Sequence, residues 1–550
     1  MSMNTTPRTP QLDFPATTGA LIRRAAEKFG DKAFVVTPQA SVSYAQVEAA
    51  SLAFARHLLG AGVGKGTRVG AQLPFGADWF VAWLGATRIG ALFIPLSTAY
   101  KPPELAKVLR QSDVDTLLVS HGQDRIAYLE ATIEKLASMR APLRTAQLPF
   151  LRRICLCGSA KPTGDVPPWA QSLDLMDPRM GQDSGISLQL LEAAQAEVTP
   201  ADLMVVIYTS GTVSEPKGVV HTHGAMVRHG AQLVRFLDLT GDDKVYCGMP
   251  LFWVGGISFS TMPTMHVGAT LLGMDRFDAG VALDLMEREQ ATVMTGWPAV
   301  TGPVMTHPSI KSRRIPAMSH PWYAPAGPRK HHSLGMSETC GPHTGCFADT
   351  RGRPVPEGFR NSMGVELPFI EHRIVHPDTG AQLPDGERGA ILVRGYSLMN
   401  GLIKKEREEV FESDGFYNTG DEGFFHEGIL YLTGRLTDMI KTSGNNVAPA
   451  EVEQALLALP GLLQAHVLGI PDAQRGEIVV AVLVPRSGAQ GSTQWSAQAL
   501  DADLRKSISN YKVPRKFLML QADEIPFLSS GKLDRRLLRQ QVMEGAGRVI

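Results

Sequence analysis

Cysteine is scarce in this sequence, with five residues in 550. They are Cys155, Cys157, Cys247, Cys340 and Cys346. A sparse set of odd number excludes a disulfide framework and favours a reducing, cytoplasmic compartment. The first two stand two positions apart in the strand-like run "ICLCG". No second ligand pair follows them at the spacing of a zinc site, so we interpret them as core residues.

An excess of either charge is also absent, because Lys plus Arg and Asp plus Glu both number 54. A chain without net charge has no global field that would attract nucleic acid or an anionic membrane surface, and we expect neither as a partner. No uninterrupted apolar run is long enough to span a bilayer. The opening "MSMNTTPRTPQLDFP" lacks the pattern of a signal peptide. We therefore predict a cytoplasmic protein without a transmembrane segment.

A Walker-type loop, with adjacent Gly and Lys followed by Ser or Thr, is missing as well. In its place the apolar run "LMVVI" leads into "YTSGTVSEPKGVVHTH", where Pro216 precedes Lys217 and Gly218 follows it. The pattern predicts a strand, a hydroxyl-rich loop and then a helix over "HTHGAMVRHGAQLVRFL". Hydroxyls, backbone N–H groups and one cation can hold a polyphosphate. A plain surface turn is equally consistent with the isolated pattern.

Strand-like and helical patterns alternate over the first two hundred residues, as in "KAFVVT", "YAQVEAASLAFARHLLGAGV" and "RVGAQLP". This alternation predicts an α/β fold of layered subdomains with a largely parallel sheet. The Gly-bounded runs "ERGAILVRG" and "GILYLTGR" predict a more antiparallel, β-rich region before residue 434. The order helix, strand, strand, helix, strand after it predicts a small α+β domain. We therefore divide the chain into domains 1–434 and 435–550.

Four further motifs accompany the hydroxyl-rich loop: "SLGMSETCG" at 333–341, "GFYNTGDEG" at 415–423, "LTGRLTDMIKTSGNNVAPAEVE" at 432–453 and "IPFLSSGKLDRRLLR" at 525–539. In this order and spacing they resemble the adenylate-forming superfamily, and in particular its acyl-CoA synthetase branch, over nearly the whole chain. The resemblance implies a large AMP-binding domain followed by a small, mobile C-terminal domain. It also implies that ATP activates a carboxylic acid to an acyl-adenylate, which coenzyme A then converts to acyl-CoA and AMP.

The resemblance assigns residues to ATP and to its AMP part. Those matching the loop that holds the β- and γ-phosphates are Thr209, Ser210, Gly211, Thr212 and Lys217. Ser337 matches the residue at the α-phosphate, and Glu338 matches the ligand of Mg²⁺, an ion that prefers hard oxygen ligands. Asp421 and Arg435 match the residues that bind the ribose. Lys532 matches the catalytic lysine, a compact charge on a mobile stem beside the reacting phosphorus.

Further candidates concern the acid, coenzyme A and the hinge. The candidates for the acyl pocket are Trp253, Gly255, Gly256, Trp297 and Pro298, each of which is equally interpretable as core packing. The candidates for coenzyme A are Lys441, Gly444 and Lys512, and Thr437 stands at the hinge between the domains. We predict a fatty or other apolar carboxylic acid as the substrate, and a homodimer is left open.

Two alternatives to an acyl-CoA synthetase stay open. The adenylate could be handed to the thiol of a carrier protein, although no carrier domain is fused here. A protein that holds nucleotide or acyl ligand without turnover is the other alternative. It fits the stretch "SRRIPAMSHPWYAPAGPRKHHSLG", which is shorter than the corresponding family segment.

Overall fold

The computed structural model describes residues 9–158, 166–209, 216–296, 298–319, 333–346, 362–442, 445–472, 474–486, 495–508, 510–527 and 533–550. It describes only the backbone of Pro298, Ala299, Ser319, Thr437, Asn445 and Asn446. None of the helices in these ranges combines the length and the apolar character that crossing a membrane requires.

The α-helices of the described ranges are α1 Thr18–Phe29, α2 Tyr44–Gly60, α3 Ala77–Thr87, α4 Pro102–Ser112, α5 Gln123–Thr132, α6 Leu188–Ala196, α7 His223–Leu237, α8 Met262–Val267, α9 Ala279–Glu289, α10 Pro298–Thr306, α11 Pro449–Leu457, α12 Ala497–Leu504 and α13 Arg535–Met543. The strands are β1 Ala33–Val36, β2 Ser41–Ser43, β3 Arg68–Gln72, β4 Leu92–Pro95, β5 Thr116–Ser120, β6 Arg153–Cys157, β7 Gln171–Leu173, β8 Leu203–Thr209, β9 Lys217–Thr222, β10 Lys244–Cys247, β11 Thr270–Leu272, β12 Val293–Thr295, β13 Gly335–Met336, β14 Gly341–Pro342, β15 Thr344–Gly345, β16 Val365–Glu366, β17 Ile370–Val375, β18 Gly389–Gly395, β19 Gly401–Leu402, β20 Tyr417–His426, β21 Ile429–Arg435, β22 Ile440–Thr442, β23 Asn445–Val447, β24 Leu462–Asp472, β25 Gly476–Pro485, β26 Lys516–Met519 and β27 Arg548–Val549.

The chain forms two compact units. The first comprises residues 1–371 and 394–415, and the second comprises 372–393 and 416–550. The hairpin strands before residue 434 thus group with the C-terminal segment, whereas the sequence analysis places them in the N-terminal domain. The boundary between 434 and 435 therefore stays a prediction.

An eight-stranded sheet in the order β19-β9-β8-β4-β3-β5-β6-β7 forms the first unit's largest sheet. The strands from β8 to β7 in this order run parallel. All four residues of β4 are buried, as expected for a strand inside a parallel sheet that is covered on both faces. Cys155 and Cys157 are fully buried with their thiols free, which confirms their core role. A second, five-stranded sheet has the order β12-β10-β11-β1-β2. The predicted α/β fold with layered sheets is confirmed.

The segment after the hydroxyl-rich loop differs from the prediction. Its first residues form a strand, β9, which runs antiparallel to β8 and pairs Thr209 with Lys217. The β-branched Val219 and Val220 are buried in the sheet, and such residues favour a strand over a helix. The helix α7 begins only after Thr222, whose side chain caps it by accepting a hydrogen bond from the backbone N–H of Ala225. The predicted strand and helix are confirmed as β8 and α7, but the prediction missed β9 and began the helix two residues too early, at His221.

The second unit contains two sheets. Most of the four-stranded sheet β17-β18-β20-β21 belongs to it, and β20 pairs antiparallel with both β18 and β21, as predicted for the β-rich region. In the C-terminal segment β25 pairs with β22, β24 and β26. Helices α11 and α12 contribute Val452, Leu456, Leu500 and Leu504 to the core of this sheet. The predicted order of helix, strand, strand, helix, strand is confirmed.

Candidate active site

A buried ion pair stands at the base of the β8–β9 hairpin. The Lys217 ammonium lies 2.6 Å from Oε1 of Glu338, and the two side chains are 30% and 10% exposed. Lys217 begins β9 directly opposite Thr209, the last residue of β8. The structure thereby brings together a hydroxyl residue, a cation and a carboxylate that are distant in sequence. The cation and the carboxylate satisfy each other's charge, as a buried ionic group requires.

The turn that carries Glu338 is held by His221 of β9. Its Nε2 lies 2.7 Å from the carbonyl oxygen of Ser337, and its Nδ1 lies 3.1 Å from Sγ of Cys340. A carbonyl can only accept, so Nε2 carries the proton and Nδ1 is the acceptor of the Cys340 S–H. Cys340 has a left-handed φ of 61°, which reverses the chain directly after the short turn Ser337–Thr339.

Both groups of this pair are neutral. Burial lowers the pKa of His221 to about 4, opposed by its hydrogen bond to the Ser337 carbonyl and by the charge of Glu338. Burial also raises the pKa of the Cys340 thiol well above its usual range. A neutral imidazole and an intact thiol do not form the thiolate–imidazolium pair of a cysteine nucleophile. The pair therefore serves to position the turn.

The opposite side of the same turn is held by the backbone of a distant segment. The N–H of Met399 donates to the carbonyl oxygen of Glu338 at 2.7 Å. Two residues further on, β19 pairs with β9, so the strand that carries Lys217 is flanked on both edges. The backbone of Glu338 is thus fixed relative to Lys217 by two elements besides the ion pair itself.

Sequence reasoning did not single out His221 or Cys340. The signal that could have identified His221 is the alternation in "KGVVHT", which predicts a strand rather than the start of a helix. On a strand, Lys217, Val219 and His221 share one face. This would have placed the imidazole and the ammonium on the same side of the sheet.

We expect His221 to act as a positioning residue, and the test uses two substitutions. Gln presents its amide nitrogen near the position of Nε2 and keeps the donor to the Ser337 carbonyl, whereas Asn is too short to do so. His221→Asn should therefore slow adenylate formation about tenfold, the cost of one lost buried hydrogen bond, and raise the Mg²⁺ concentration needed for half-maximal rate. His221→Gln should retain most of the activity. Equal losses in the two variants, with an unchanged Mg²⁺ requirement, would contradict the positioning role.

Asp421 and Arg435 form a pair of their own in the second unit. They are directly opposite in the β20–β21 ladder, and Nε of Arg435 lies 2.8 Å from Oδ1 of Asp421. The Asp421 side chain is 7% exposed and that of Arg435 is 49% exposed. Gly420 adopts φ 75°, and the Cβ of any other residue there would lie 3.7 Å from Nη1 of Arg435. Their assignment to ribose stays a prediction, which this pairing supports.

The candidates for coenzyme A differ in their surroundings. Lys512 is only 12% exposed and its ammonium lies 2.6 Å from Oε1 of Glu451. Lys441 is exposed, and its backbone N–H donates to Glu477 at 2.9 Å. A lysine already paired with a carboxylate must exchange that partner before it can contact a phosphate. Lys441 is thus the better placed of the two, and both assignments remain predictions.

The candidates for the acyl pocket lie on a segment of unusual geometry. Residues Gly255–Thr261 form a π-helix, a conformation that is rare and often found at functional sites. Both Gly255 and Gly256 are buried, and a Cβ on them would collide with Met249 and with the Pro250 carbonyl respectively. The structure thus gives the two glycines a packing role, and their contact with the acid stays a prediction.

Trp253 stands just before the π-helix, half-buried, with its ring 5.7 Å from that of Phe252. If its indole lines the acid site, Trp253→Ala should shift the preferred chain length of the acid and leave the ATP requirement intact. Trp253→Phe, which keeps an aromatic wall, should shift it less. If Trp253→Ala leaves the order of preferred acid chain lengths unchanged but lowers the free energy of unfolding by roughly 3–5 kcal/mol, Trp253 has a core-packing role instead.

Several predicted site residues lie outside the described part of the structure. They are Ser210, Gly211, Thr212, Trp297, Gly444 and Lys532, together with the side chains of Pro298 and Thr437. The central part of the shortened segment, residues 320–332, lies outside it as well. These assignments remain predictions from the sequence.

The residues present fit a magnesium ion that arrives with a nucleotide. Within the described ranges no three His, Cys, Asp or Glu side chains are grouped to hold a metal by themselves. Mg²⁺, however, is commonly bound through one or two carboxylates plus substrate phosphates rather than by an all-protein cage. Glu338 supplies one such carboxylate beside Lys217.

The chain resembles known proteins over most of its length. The profile of the AMP-binding enzyme family matches residues 22–403, and that of the AMP-binding enzyme C-terminal domain matches residues 451–532. An indoleacetate–CoA ligase from Aromatoleum aromaticum is 28% identical, over 92% of this chain and 94% of its own length. A CoA ligase for a methyl-dioxo-octahydroindenyl propanoyl group from Rhodococcus jostii is 28% identical, over 96% and 99%.

A solved structure, ATP-bound MatB from Rhodopseudomonas palustris, superposes with a TM-score of 0.74 at 26% identity. The superposition covers 96% of this chain and 99% of MatB. The Lys217–Glu338 pair lies within the first matched range, and Lys532 is the last residue of the second, whereas Asp421 and Arg435 lie between the two ranges. The chain belongs to the AMP-binding enzyme family, a family of the adenylate-forming superfamily.

Proposed function

We propose that this protein is an AMP-forming acyl-CoA synthetase. The observation that carries the proposal is the Lys217–Glu338 pair at the base of the β8–β9 hairpin. It supports the proposal because Lys217 and its partner Thr209 flank, in the sequence, the residues that resemble the family's phosphate loop, and Glu338 adds a hard oxygen ligand there. The carboxylate of the acid attacks the α-phosphorus of ATP and pyrophosphate leaves. The thiol of coenzyme A then attacks the acyl carbon of the adenylate and AMP leaves.

We assign each binding task to a side chain according to its charge. Lys217 turns from Glu338 to the incoming phosphates, which frees a carboxylate oxygen for the metal. When bound, Mg²⁺ neutralises charge on the phosphate oxygens. Asp421, buried and able to accept hydrogen bonds, orients the ribose hydroxyls, and Arg435 supports it. Lys217 and Glu338, 2.6 Å apart, thus supply a cation for the phosphates and a carboxylate for the metal at one place in the fold.

The acid in this proposal has an apolar skeleton, either a fatty chain or a ring system. The indoleacetate and methyl-dioxo-octahydroindenyl propanoyl ligases are named for acids that carry ring systems, the second with two oxo groups, and both are named CoA ligases. This favours coenzyme A over a carrier protein as the acceptor. ATP and coenzyme A as co-substrates favour the cytoplasm as its location.

The test is exchange of labelled pyrophosphate into ATP over a panel of carboxylic acids. We expect exchange that depends on Mg²⁺ and on one class of acid, and formation of a thioester when coenzyme A is added. Thioester formation only with a carrier protein would shift the proposal to the alternative ligase. Binding of ATP without exchange for any acid would indicate the non-catalytic alternative.

A further inference from the structure

The π-helix and the start of α8 carry four buried hydroxyl side chains, of Ser258, Ser260, Thr261 and Thr264, all 0% exposed. Three of the four hydroxyls are hydrogen-bonded. Ser260 pairs with Thr295 at 2.8 Å, Thr261 donates to the Gly256 carbonyl at 2.8 Å and Thr264 donates to the Ser260 carbonyl at 2.7 Å. Such pairing is the rule for buried polar groups.

Ser258 departs from this rule. Its Oγ is buried and has no hydrogen-bond partner within the described residues. A hydroxyl left in this state loses its bonds to water without replacement, a cost that a native protein normally avoids. Ser258 Oγ is one of eight such buried side-chain atoms among the described residues, and a bound ligand or a buried water would supply its missing partner.

The same hydroxyl faces an unfilled space. Gly341 is buried, and of the described atoms only Ser258 Oγ, at 3.9 Å, comes within 4 Å of a Cβ placed on it. Other buried glycines nearby behave differently, because a Cβ on Gly345 or Gly364 would collide with neighbouring atoms. Gly341 has a φ of +113°, so the position also disfavours any side chain that would fill the space.

This space adjoins the reacting centre of the proposed enzyme. Gly341 follows Glu338 by three residues, and the turn between them is fixed by His221 and Cys340. The π-helix that carries Ser258 also includes the two glycines of the candidate acyl pocket. A group that enters between the π-helix and Gly341 would therefore belong to the acid rather than to the nucleotide's triphosphate.

We propose that Ser258 and the space beside Gly341 bind a single oxygen substituent of the acid, a hydroxyl or a ketone, set in an otherwise apolar skeleton. This deepens the proposed function and rests on it. A serine hydroxyl can donate to a ketone oxygen or exchange hydrogen bonds with a hydroxyl. An acid that lacks the oxygen leaves Ser258 unpaired, and a site built to hydrogen-bond its substrate discriminates against such an analogue.

The experiment compares acids that differ by one oxygen. Decanoic acid is assayed beside its mono-oxo derivatives, with the ketone moved one carbon at a time. The para-hydroxyphenyl and para-methylphenyl derivatives of propanoic acid form a ring-bearing pair. We expect the wild-type enzyme to favour at least one oxygenated acid over its hydrocarbon counterpart by about tenfold in kcat/KM of pyrophosphate exchange. The ketone position that gives the largest preference would show how many carbons separate the carboxylate of the acid from the group that contacts Ser258.

Ser258→Ala provides the decisive comparison, with Ser260→Ala as its matched control. Ser258→Ala should abolish the preference for the oxygenated acid without lowering Tm in the absence of acid, because no protein hydrogen bond is lost. Ser260→Ala should lower Tm, because its bond to Thr295 is lost, and should keep the preference.

The inference is overturned by several results. The first is a wild-type enzyme that uses the oxygenated acids and their hydrocarbon counterparts equally well. The second is a preference for the oxygenated acid that survives in Ser258→Ala. The third is a fall in Tm for Ser258→Ala as large as that for Ser260→Ala. The last result would mean that a buried water pairs with Ser258. Failure of every acid to support exchange would instead refute the proposed function. Failure of the Ser258 inference and failure of the proposed function therefore give different results.

Discussion

Replacing Glu338 by Gln is expected to slow acid-dependent exchange of pyrophosphate into ATP by about 10²–10³-fold, the typical effect of removing one preorganised electrostatic contact. The amide keeps the shape of the side chain but has neither the charge that holds Lys217 at 2.6 Å nor the affinity of a carboxylate for a hard cation. The fold should persist, because the turn is also held through the carbonyls of Ser337 and Glu338. Exchange rates and thermal unfolding are measured on the same preparation.

Glu48→Gln is the matched control for this variant. Glu48 pairs with Arg88 at 2.8 Å, and the Arg88 side chain is fully buried. Breaking this pair should cost about 3–5 kcal/mol of stability while the folded enzyme keeps its exchange rate. Wild-type exchange in a folded Glu338→Gln protein would remove Glu338 from the active site. A loss of exchange in Glu48→Gln as large as that in Glu338→Gln would mean that the assay reports unfolding.

Elements with a strong local pattern could be predicted from the sequence. The helix read in "YAQVEAASLAFARHLLGAGV" spans Tyr44–Gly60, and it begins where the capping box of Ser43 and Gln46 predicts. The parallel strands were recognisable because buried strands of this kind are almost continuously apolar. These signals act within a few residues of one another, so tertiary contacts did not need to be known.

The hairpin strand β9 could not be predicted with the same ease. Its first residues, Lys217 and Gly218, follow a proline and carry no strong preference for a strand. Their conformation is decided by pairing with β8 on one edge and β19 on the other, and β19 lies about 180 residues further along the chain. Tertiary pairing therefore decides the strand, and it also takes His221 and Thr222, the first two residues of the predicted helix, into β9.

The roles of single residues in the site were the least predictable. His221 contacts a carbonyl 116 positions away in the sequence, and Ser258 is distinguished only by the partner it lacks in the described structure. Neither property has a local signature. Motif resemblance found the charged groups Lys217, Glu338 and Asp421, because chemistry fixes their residue type. It did not find the neutral groups that position them.

Loss of the Lys532 side chain is expected to separate the two half-reactions. Lys532 lies outside the described residues, but the chain on either side of it is held together. Phe527 pairs antiparallel with Leu533, and the N–H of Asp534 donates to the Pro526 carbonyl at 2.9 Å. Helix α13 follows at once, with Asp534 as its cap. These two contacts join the residues on either side of Lys532 without using its side chain. The charge of Lys532 is therefore available to a reacting phosphate, and we expect no role for it in the core.

Lys532→Ala should therefore slow formation of the adenylate by about 10²–10³-fold and largely spare the reaction of pre-made acyl-adenylate with coenzyme A. In the proposed mechanism the charge of Lys532 is needed only while phosphorus chemistry occurs, and the resemblance implies that the thiol step uses another face of the small domain. The measurement follows thioester formation from free acid and ATP, and separately from the adenylate. Lys506, an exposed lysine of the same unit whose side chain is 75% exposed, supplies the control, since Lys506→Ala should alter neither rate. Equal losses in both assays for Lys532→Ala would place the lysine in the fold or in both steps. A loss confined to the first assay would tie its charge to adenylation, and would show that the shortened segment before Leu334 leaves the thioester-forming arrangement intact.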